Sequence, residues 1–354
     1  MRRLFLSLRY LVLLAILFTA FSCEHRKLED PQNTHYVRVY LDEQIKNVTC
    51  GFYDETNEKP VYERPSVMRA ILSDPQTGKV ISERVLRNHG ADERGHYIDG
   101  HIVAPAGTYN FMVYELGSAV TLVEEPNNFY QMKAYTKPVS DYFLQYLPTT
   151  RTEIDEDNIV NTPDHLFHDV SYGLVLRGSH QIDTLKNESG DYFTAKSLAL
   201  SYYIQVKIKG IEWVTSAVTL INGVAGSTYM RKSGEMVTSD PVHIFFGMNY
   251  KDKKRSTSDD AMLATLYSTF NTFGKIDGIP TICTLSFEFI KSDGFTQVEK
   301  IDITDLFDTP LVKEKQWILL EHEIVITPPE GAGSEGGMRP GVEEWTDVEA
   351  EIVM

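Results

Sequence analysis

The stretch Ser201-Tyr-Tyr-Ile204-Gln-Val206-Lys-Ile208-Lys-Gly210 sets the terms for the whole chain. Ile204, Val206 and Ile208 fall on one side and Gln205, Lys207 and Lys209 on the other. That is the period-two alternation of a strand with one face in a core and the other in water. Tyr36–Leu41 repeats the pattern, with Val37, Val39 and Leu41 opposed to Arg38 and Tyr40. Val67–Leu72 and Val80–Leu86 flank Ser73-Asp-Pro75-Gln-Thr-Gly78, where Pro75 presets a turn and Gly78 accepts positive φ, so the pair reads as a hairpin. Ile282–Phe289 and Gln297–Ile303 form a second hairpin around Asp293-Gly294. Val48–Tyr53, Tyr97–Val103, Tyr109–Tyr114, Val242–Phe246, Met262–Phe270 and Trp317–Ile326 are further strands, while Ala217–Ile221 reads as either a strand or a short helical turn. Many short strands with few helical periods predict an all-β chain built from two antiparallel β-sandwiches in tandem.

Length agrees with two cores. The 354 residues exceed what one hydrophobic core usually serves, and 17 Phe with 19 Tyr are enough to fill two. Arg151–Asp164 is acidic, contains Pro163 and lacks apolar periodicity. The expected division is therefore a first sandwich over 34–160 and a second over 161–327, followed by 328–354 as a Gly-, Glu- and Pro-rich segment with a terminal strand.

The first residues decide where such a chain resides. Arg2, Arg3 and Arg9 precede the apolar run Tyr10–Ala20, which at about a dozen residues is short of the roughly 20 needed for a membrane-spanning helix. Phe21-Ser22-Cys23 closes it. Residues 1–22 thus read as a cleaved export signal and 23–33 as a tether. The stretch resembles a bacterial lipoprotein signal, which implies that Cys23 carries lipid and holds the chain at the outer membrane. Ser22 fits that pattern, whereas Ala20 and Phe21 depart from it. The alternative is an ordinary signal peptide that leaves Cys23 a free thiol. Removing three arginines takes the net charge from −16 to −19, a field that repels nucleic acid. Cys50 and Cys283 lie in apolar stretches far apart, as two buried thiols or one disulfide, and neither forms a Cys-x-x-Cys redox pair.

At the other end, Val342-Glu-Glu-Trp345-Thr-Asp-Val348-Glu-Ala350-Glu-Ile352-Val-Met354 alternates like a strand with no sequence neighbour to pair with. Val342, Trp345, Val348, Ala350, Ile352 and Met354 are the candidate partner-strand residues. An extended segment with free backbone groups can add to an edge of its own body or of a neighbouring molecule.

Motifs for chemistry are sparse. Asp164-His165-Leu-Phe-His168-Asp169 is the sharpest metal candidate, but a strand would put its histidines on opposite faces and no further ligand is spaced to complete a zinc site. Glu153-Ile-Asp155-Glu-Asp157-Asn158 supplies oxygens without the glycine and distal Glu of a calcium loop. In Glu321-His322-Glu323, alternation points the histidine away from both carboxylates. There is no nucleophile elbow, phosphate loop or dinucleotide fingerprint. No cofactor, metal or catalytic residue is expected, and the chain does not read as an enzyme. Tyr202, Tyr203, Phe245, Phe246, Phe287 and Phe289 are candidates for a carbohydrate platform, with core packing the commoner use of such residues.

Several of these features together resemble the Mfa-like and FimB-type fimbrial lipoproteins of Bacteroidetes. They are Ser22-Cys23, the strand Tyr36–Leu41, Ile204–Gly210 with the following Ile211-Glu-Trp-Val, Thr272-Phe-Gly274 and Gly341-Val-Glu-Glu-Trp345. The strand start Pro105-Ala-Gly107-Thr-Tyr109 is similar to that of transthyretin-like domains. The resemblance implies two transthyretin-like sandwiches in a lipid-anchored fimbrial anchor or minor subunit at the cell surface. Its implied partners are other fimbrial subunits joined by strand addition, the outer membrane through Cys23, and a host or bacterial surface ligand. Polymerising subunits of that family lose a first strand after an arginine. Arg151 and Arg177 do not follow an obvious first strand, which favours an anchor or accessory role. The alternative is a surface glycan-binding lipoprotein of a nutrient-uptake system.

Overall fold

The computed structural model describes residues 33–42, 64–140, 158–178, 182–231, 240–258, 261–276 and 281–329. Strand formation follows the alternation. The first body contains β1 (Asn33–Leu41), β2 (Val67–Ser73), β3 (Val80–Leu86), β4 (Asn88–Asp92), β5 (Gly95–Ala104) and β6 (Gly107–Leu116). β7 (Thr121–Glu124) and β8 (Lys133–Thr136) follow, then β9 (Ile159–Val160), β10 (Phe167–Leu176), β11 (Asp183–Thr184) and β12 (Phe193–Ser197). The second body comprises β13 (Leu200–Lys209), β14 (Val214–Ala225), β15 (Ser227–Tyr229), β16 (Pro241–Gly247), β17 (Asn249–Arg255), β18 (Met262–Thr272), β19 (Thr284–Lys291) and β20 (Thr296–Asp302). A short helix α1 (Pro310–Lys315), started by the Thr309 hydroxyl accepting from the Val312 amide, precedes the last strand, β21 (Trp317–Val325).

The first sheet runs β3-β2-β6-β10-β12-β1-β5-β4, with β11 beside β1. It curls back on itself: the Ser82 hydroxyl donates to the Val103 carbonyl at 2.6 Å, tying β3 to β5. Inside lie Val37, Val39, Met68, Leu72, Ile98, Phe111 and Phe193, and the last two rings approach to 4.2 Å. In the second body a four-stranded sheet (β17-β18-β13-β21) faces a five-stranded one (β20-β19-β14-β16-β9). Ile204, Val206 and Ile208 pack there against Ile221, Leu285, Phe287 and Phe289, on the side that the alternation assigns them.

The expectation of an all-β chain is met, and Ala217–Ile221 is part of a strand. The strand partners are less regular than expected. β12 and β11 run parallel to β1, β21 runs parallel to β13, and β9 parallel to β16. Strand pairing also crosses the division expected at residue 160. β10 pairs with β6, and β12 with β1 and β10, all in the first sheet, whereas Ile159–Val160 pair with β16 in the second body. An acidic, aperiodic stretch reports solvation; it does not report which sheet the next strand joins. A third, small sheet, β15-β8-β7, takes strands from both halves. Beside it a separate core joins Ile71, Met112 and Tyr114 to Met132, Ala225, Met230, Phe273 and Ile276.

Candidate functional site

Sheet edges carry unpaired backbone groups, and it is there that a further strand could add. β17 is an edge carrying Lys251, Lys253, Lys254 and Arg255, with a break at Asp252, whose φ is 59°. Charge and a bulge are the usual guards against unwanted pairing. Among the described residues β20 and β21 are end strands of the two facing sheets, and side chains fasten them to each other. Gln297 Nε2 donates to the Val325 carbonyl at 2.8 Å, and its Oε1 accepts from the Thr327 amide and hydroxyl, each at 3.0 Å. His322 Nε2 lies 3.1 Å from Glu299 Oε1.

The strict alternation expected for Glu321-His322-Glu323 does not hold. Leu320 pairs with Val206 and Glu323 with Lys207, so Glu321 and His322 occupy a bulge and His322 turns to β20. β3, an end strand of the first sheet, exposes Ile81 (49%) and Val85 (41%).

The outer face of β1, β5 and β4 carries a cluster that sequence reading did not single out. Arg38 stacks 3.9 Å above the Tyr97 ring and reaches Asp92 at 3.2 Å. The Tyr36 hydroxyl donates to Asp99, and Tyr40 donates to Asp92 at 2.7 Å. Burial, then the Asp99 hydrogen bond, pushes the Tyr36 phenol up to about 12. Tyr192 brings its ring edge-on to Tyr40, and the Lys186 ammonium sits 2.9 Å over that ring. The available signal was the placement of Arg38 and Tyr40 on the polar side of β1; their partners on β4 and β5 and at Tyr192, just before β12, were not visible locally. The rings meet at 62–70° to one another, so they lock the face and do not form a flat stacking platform.

The other candidates resolve as follows. Asp164 accepts from the Val120 amide (2.8 Å) and Ser118 hydroxyl (3.0 Å). His165 bridges the Ser197 and Ser201 hydroxyls at 2.7 and 3.1 Å, and Asp169 accepts from the Val170 and Thr194 amides at 2.8 Å. His165 thus ties β12 to β13 across the junction of the two bodies, while Asp164 and Asp169 hold together parts of the first, and burial lowers both His165 and His168 to about 4. Of the proposed carbohydrate platform, Tyr202, Tyr203, Phe246, Phe287 and Phe289 are buried and Phe245 is half-buried, so these residues do not form an exposed platform. Cys283 is a buried free thiol against the Gly223 carbonyl, pushed up to about 11 by burial, and it is not joined to Cys50. Cys23, Cys50, Arg151 and the segment with Val342, Trp345, Val348, Ala350, Ile352 and Met354 lie outside the described residues.

With that geometry in place, the molecule can be compared with known proteins. Its fold is that of a candidate adhesin from Bacteroides ovatus: the crystal structure superposes with a TM-score of 0.54 at 19% identity, over 84% of this chain and 94% of that one. In sequence, the chain is 22% identical over 276 residues to a candidate fimbrium anchoring subunit, Fim4B, also of Bacteroides ovatus, covering 70% of this chain and 74% of that one. The resemblance to Bacteroidetes fimbrial proteins drawn from the sequence is thereby borne out. A family model described as a domain of unknown function, DUF5119, matches residues 84–247. It begins within β3 and ends with β16, and so spans the junction of the two bodies.

Proposed function

We propose that this chain is a lipid-anchored fimbrial anchor or accessory subunit of the cell surface, held to the outer membrane through Cys23 and joined to other fimbrial subunits by strand addition. The observation that carries the reading is the likeness to the fimbrium anchoring subunit over 70% of the chain. The all-β fold and the guarding of β17, β20 and β21 agree with it, since a pairing protein has to silence the edges it does not use. On this reading the chain is a structural component and not an enzyme. Its pairing strand is the terminal segment with Val342, Trp345, Val348, Ala350, Ile352 and Met354.

Two changes test it. Cys23→Ser should abolish incorporation of radiolabelled palmitate and release the chain from the membrane fraction. Deletion of residues 342–354 should leave the body folded while the chain disappears from isolated surface polymers. Lipid labelling that persists in Cys23→Ser, or undiminished polymer recovery after the deletion, would overturn the corresponding role.

A further inference from the structure

The two ends of the first sheet differ in chemistry. At one end Asp42 follows β1, the β4–β5 turn carries Asp92, Glu93 and Arg94, and Arg94 lies 3.9 Å from Asp191. The other end is the one at which the chain enters β1. There Asn33 pairs with Ala104, Pro105-Ala106 turns the chain into β6, and Val175 and Leu176 of β10 pair with Thr108 and Gly107. Gly178 stands so close that a Cβ on it would lie 3.8 Å from that of Ala106. Ile182 precedes Asp183, the partner of His35, and Ile81 precedes Ser82, whose hydroxyl meets the Val103 carbonyl. Among the described residues, this end therefore leaves three large apolar side chains in water, Val175 (63% exposed), Ile182 (59%) and Ile81 (49%), alongside an exposed Ala106. Neither 104–108 nor 175–178 holds a carboxylate, and Arg177 is exposed there. Of the acids on adjoining segments, Asp74 is held by the Gln76 and Thr77 amides of its own turn, and Asp183 pairs with His35 one residue further in.

We propose that this end is a membrane-docking surface: Ile81, Ala106, Val175 and Ile182 enter the interfacial layer of the bilayer that holds the Cys23 lipid, and Arg177 meets its phosphate headgroups. The inference rests on the lipidation of Cys23 proposed above. Reach selects the end. Asn33 lies ten positions after Cys23, so it stays within about 35 Å of the lipid. β5 is itself about 33 Å long, so presenting the charged end instead would make the tether run back along the whole sheet. Chemistry agrees. Carboxylates are repelled by anionic headgroups, whereas exposed aliphatic side chains gain by leaving water, and an arginine can lay its stem along the acyl boundary with its guanidinium among phosphates. Direction agrees as well. β12 runs away from this end, with Phe193 beside Val39 and then Ser197 beside Phe167, and the chain continues into β13. The second body is thereby attached towards the end turned from the membrane. A single acyl chain holds a protein only marginally, so contact by the body adds a second attachment and fixes how the molecule stands on the surface.

The test uses the full chain purified with its lipid and reconstituted into phosphatidylcholine vesicles, with or without bromine on the acyl chains. Val175→Trp and Ile182→Trp place a fluorophore at the docking end, and Phe295→Trp places one at the exposed β19–β20 turn of the second body. Each signal is taken by difference from the unaltered chain, and far-UV circular dichroism verifies each fold. Bromine should quench the first two about two-fold or more and leave the third unchanged. The double variant Val175→Asp/Ile182→Asp should stay in the vesicle fraction but lose the slowing of hydrogen exchange over 104–108 that the unaltered chain shows on vesicles. Equal quenching at all three positions, or none at 175 and 182 in a chain that floats with the vesicles, overturns the docking and leaves lipidation standing. A chain that does not float at all overturns lipidation and the docking with it. Protection of 104–108 that rises with protein concentration in the absence of vesicles gives this end to a second copy and likewise overturns the proposal.

Discussion

At the residue scale, the histidines carry the clearest consequences. His165 stands between the two bodies, its ring nitrogens against Ser197 and Ser201, while Ser201 donates to Asn271 at 2.6 Å and Asn271 donates to the Pro163 carbonyl. Burial lowers its pKa from 6.5 to about 4. The folded state therefore keeps the ring neutral where the unfolded chain takes up a proton. The stability this contributes is fully present above pH 6.5 and is lost as pH falls from 6.5 towards 4. At pH 5 the loss from this one group is about 2 kcal/mol. The urea midpoint should fall between pH 7.5 and pH 5, and His165→Gln should flatten that slope; an equally steep slope in the variant would exclude this histidine as its source.

His35 makes a separate case. It is 2% exposed, and neither ring nitrogen has a hydrogen-bond partner among the described residues. A buried polar group without a partner costs about 1–3 kcal/mol, so His35→Leu should raise the melting temperature, and a lowered one would count against that cost. The sequence flagged Asp164, His165, His168 and Asp169 as unusual, but as metal ligands. Their partners at 118, 120, 194, 197 and 201 come from other strands and leave no local trace.

At the scale of the element, legibility tracks sequence distance. The hairpins β2–β3 and β19–β20 were readable because turn chemistry and alternation lie within one short window. The β1–β12 pair joins residues some 150 positions apart in parallel, and nothing near either strand announces the other. Bulges were hidden for a related reason, since one inserted residue leaves hydrophobicity nearly unchanged. Gly223 marks such a place, where the register of β14 against β16 shifts between Asn222 and Val224. Its φ is +78°, and a Cβ there would lie 2.3 Å from the Ile282 carbonyl oxygen. Gly223→Ala should cost at least about 2 kcal/mol from backbone strain and displacement of β19, read as a lower denaturation midpoint; a neutral substitution would show that the bulge relaxes freely. The Gln297 clasp predicts a local effect instead. Gln297→Ala should speed exchange of the Thr327 amide while the global midpoint moves by about 1 kcal/mol or less.

At the scale of the whole molecule, two sandwiches were legible but their union was not. A tandem arrangement suggests two bodies that melt apart. Here one core of buried side chains draws on both halves, with Met112 and Tyr114 from β6 packed in one cluster with Ala225 from β14 and Phe273 and Ile276 beyond β18. The β15–β8 ladder adds backbone hydrogen bonds across the same junction, and the acidic tract that separates the halves in sequence conceals this, because composition cannot say that Phe273 will meet Met112. Shared burial of this kind couples unfolding: opening one body exposes apolar surface that the other must also give up. The intact chain should therefore show one calorimetric transition, with calorimetric and van't Hoff enthalpies in agreement. Phe273→Ala removes a ring that is 5% exposed at the junction and should cost about 3–4 kcal/mol. It should also split the transition in two, whereas Ile204→Ala, deep within the second body, should lower the melting temperature and leave a single transition. Two resolved transitions in the unaltered chain would mean that the junction packs without coupling, and the molecule would then behave as two independent sandwiches on one tether.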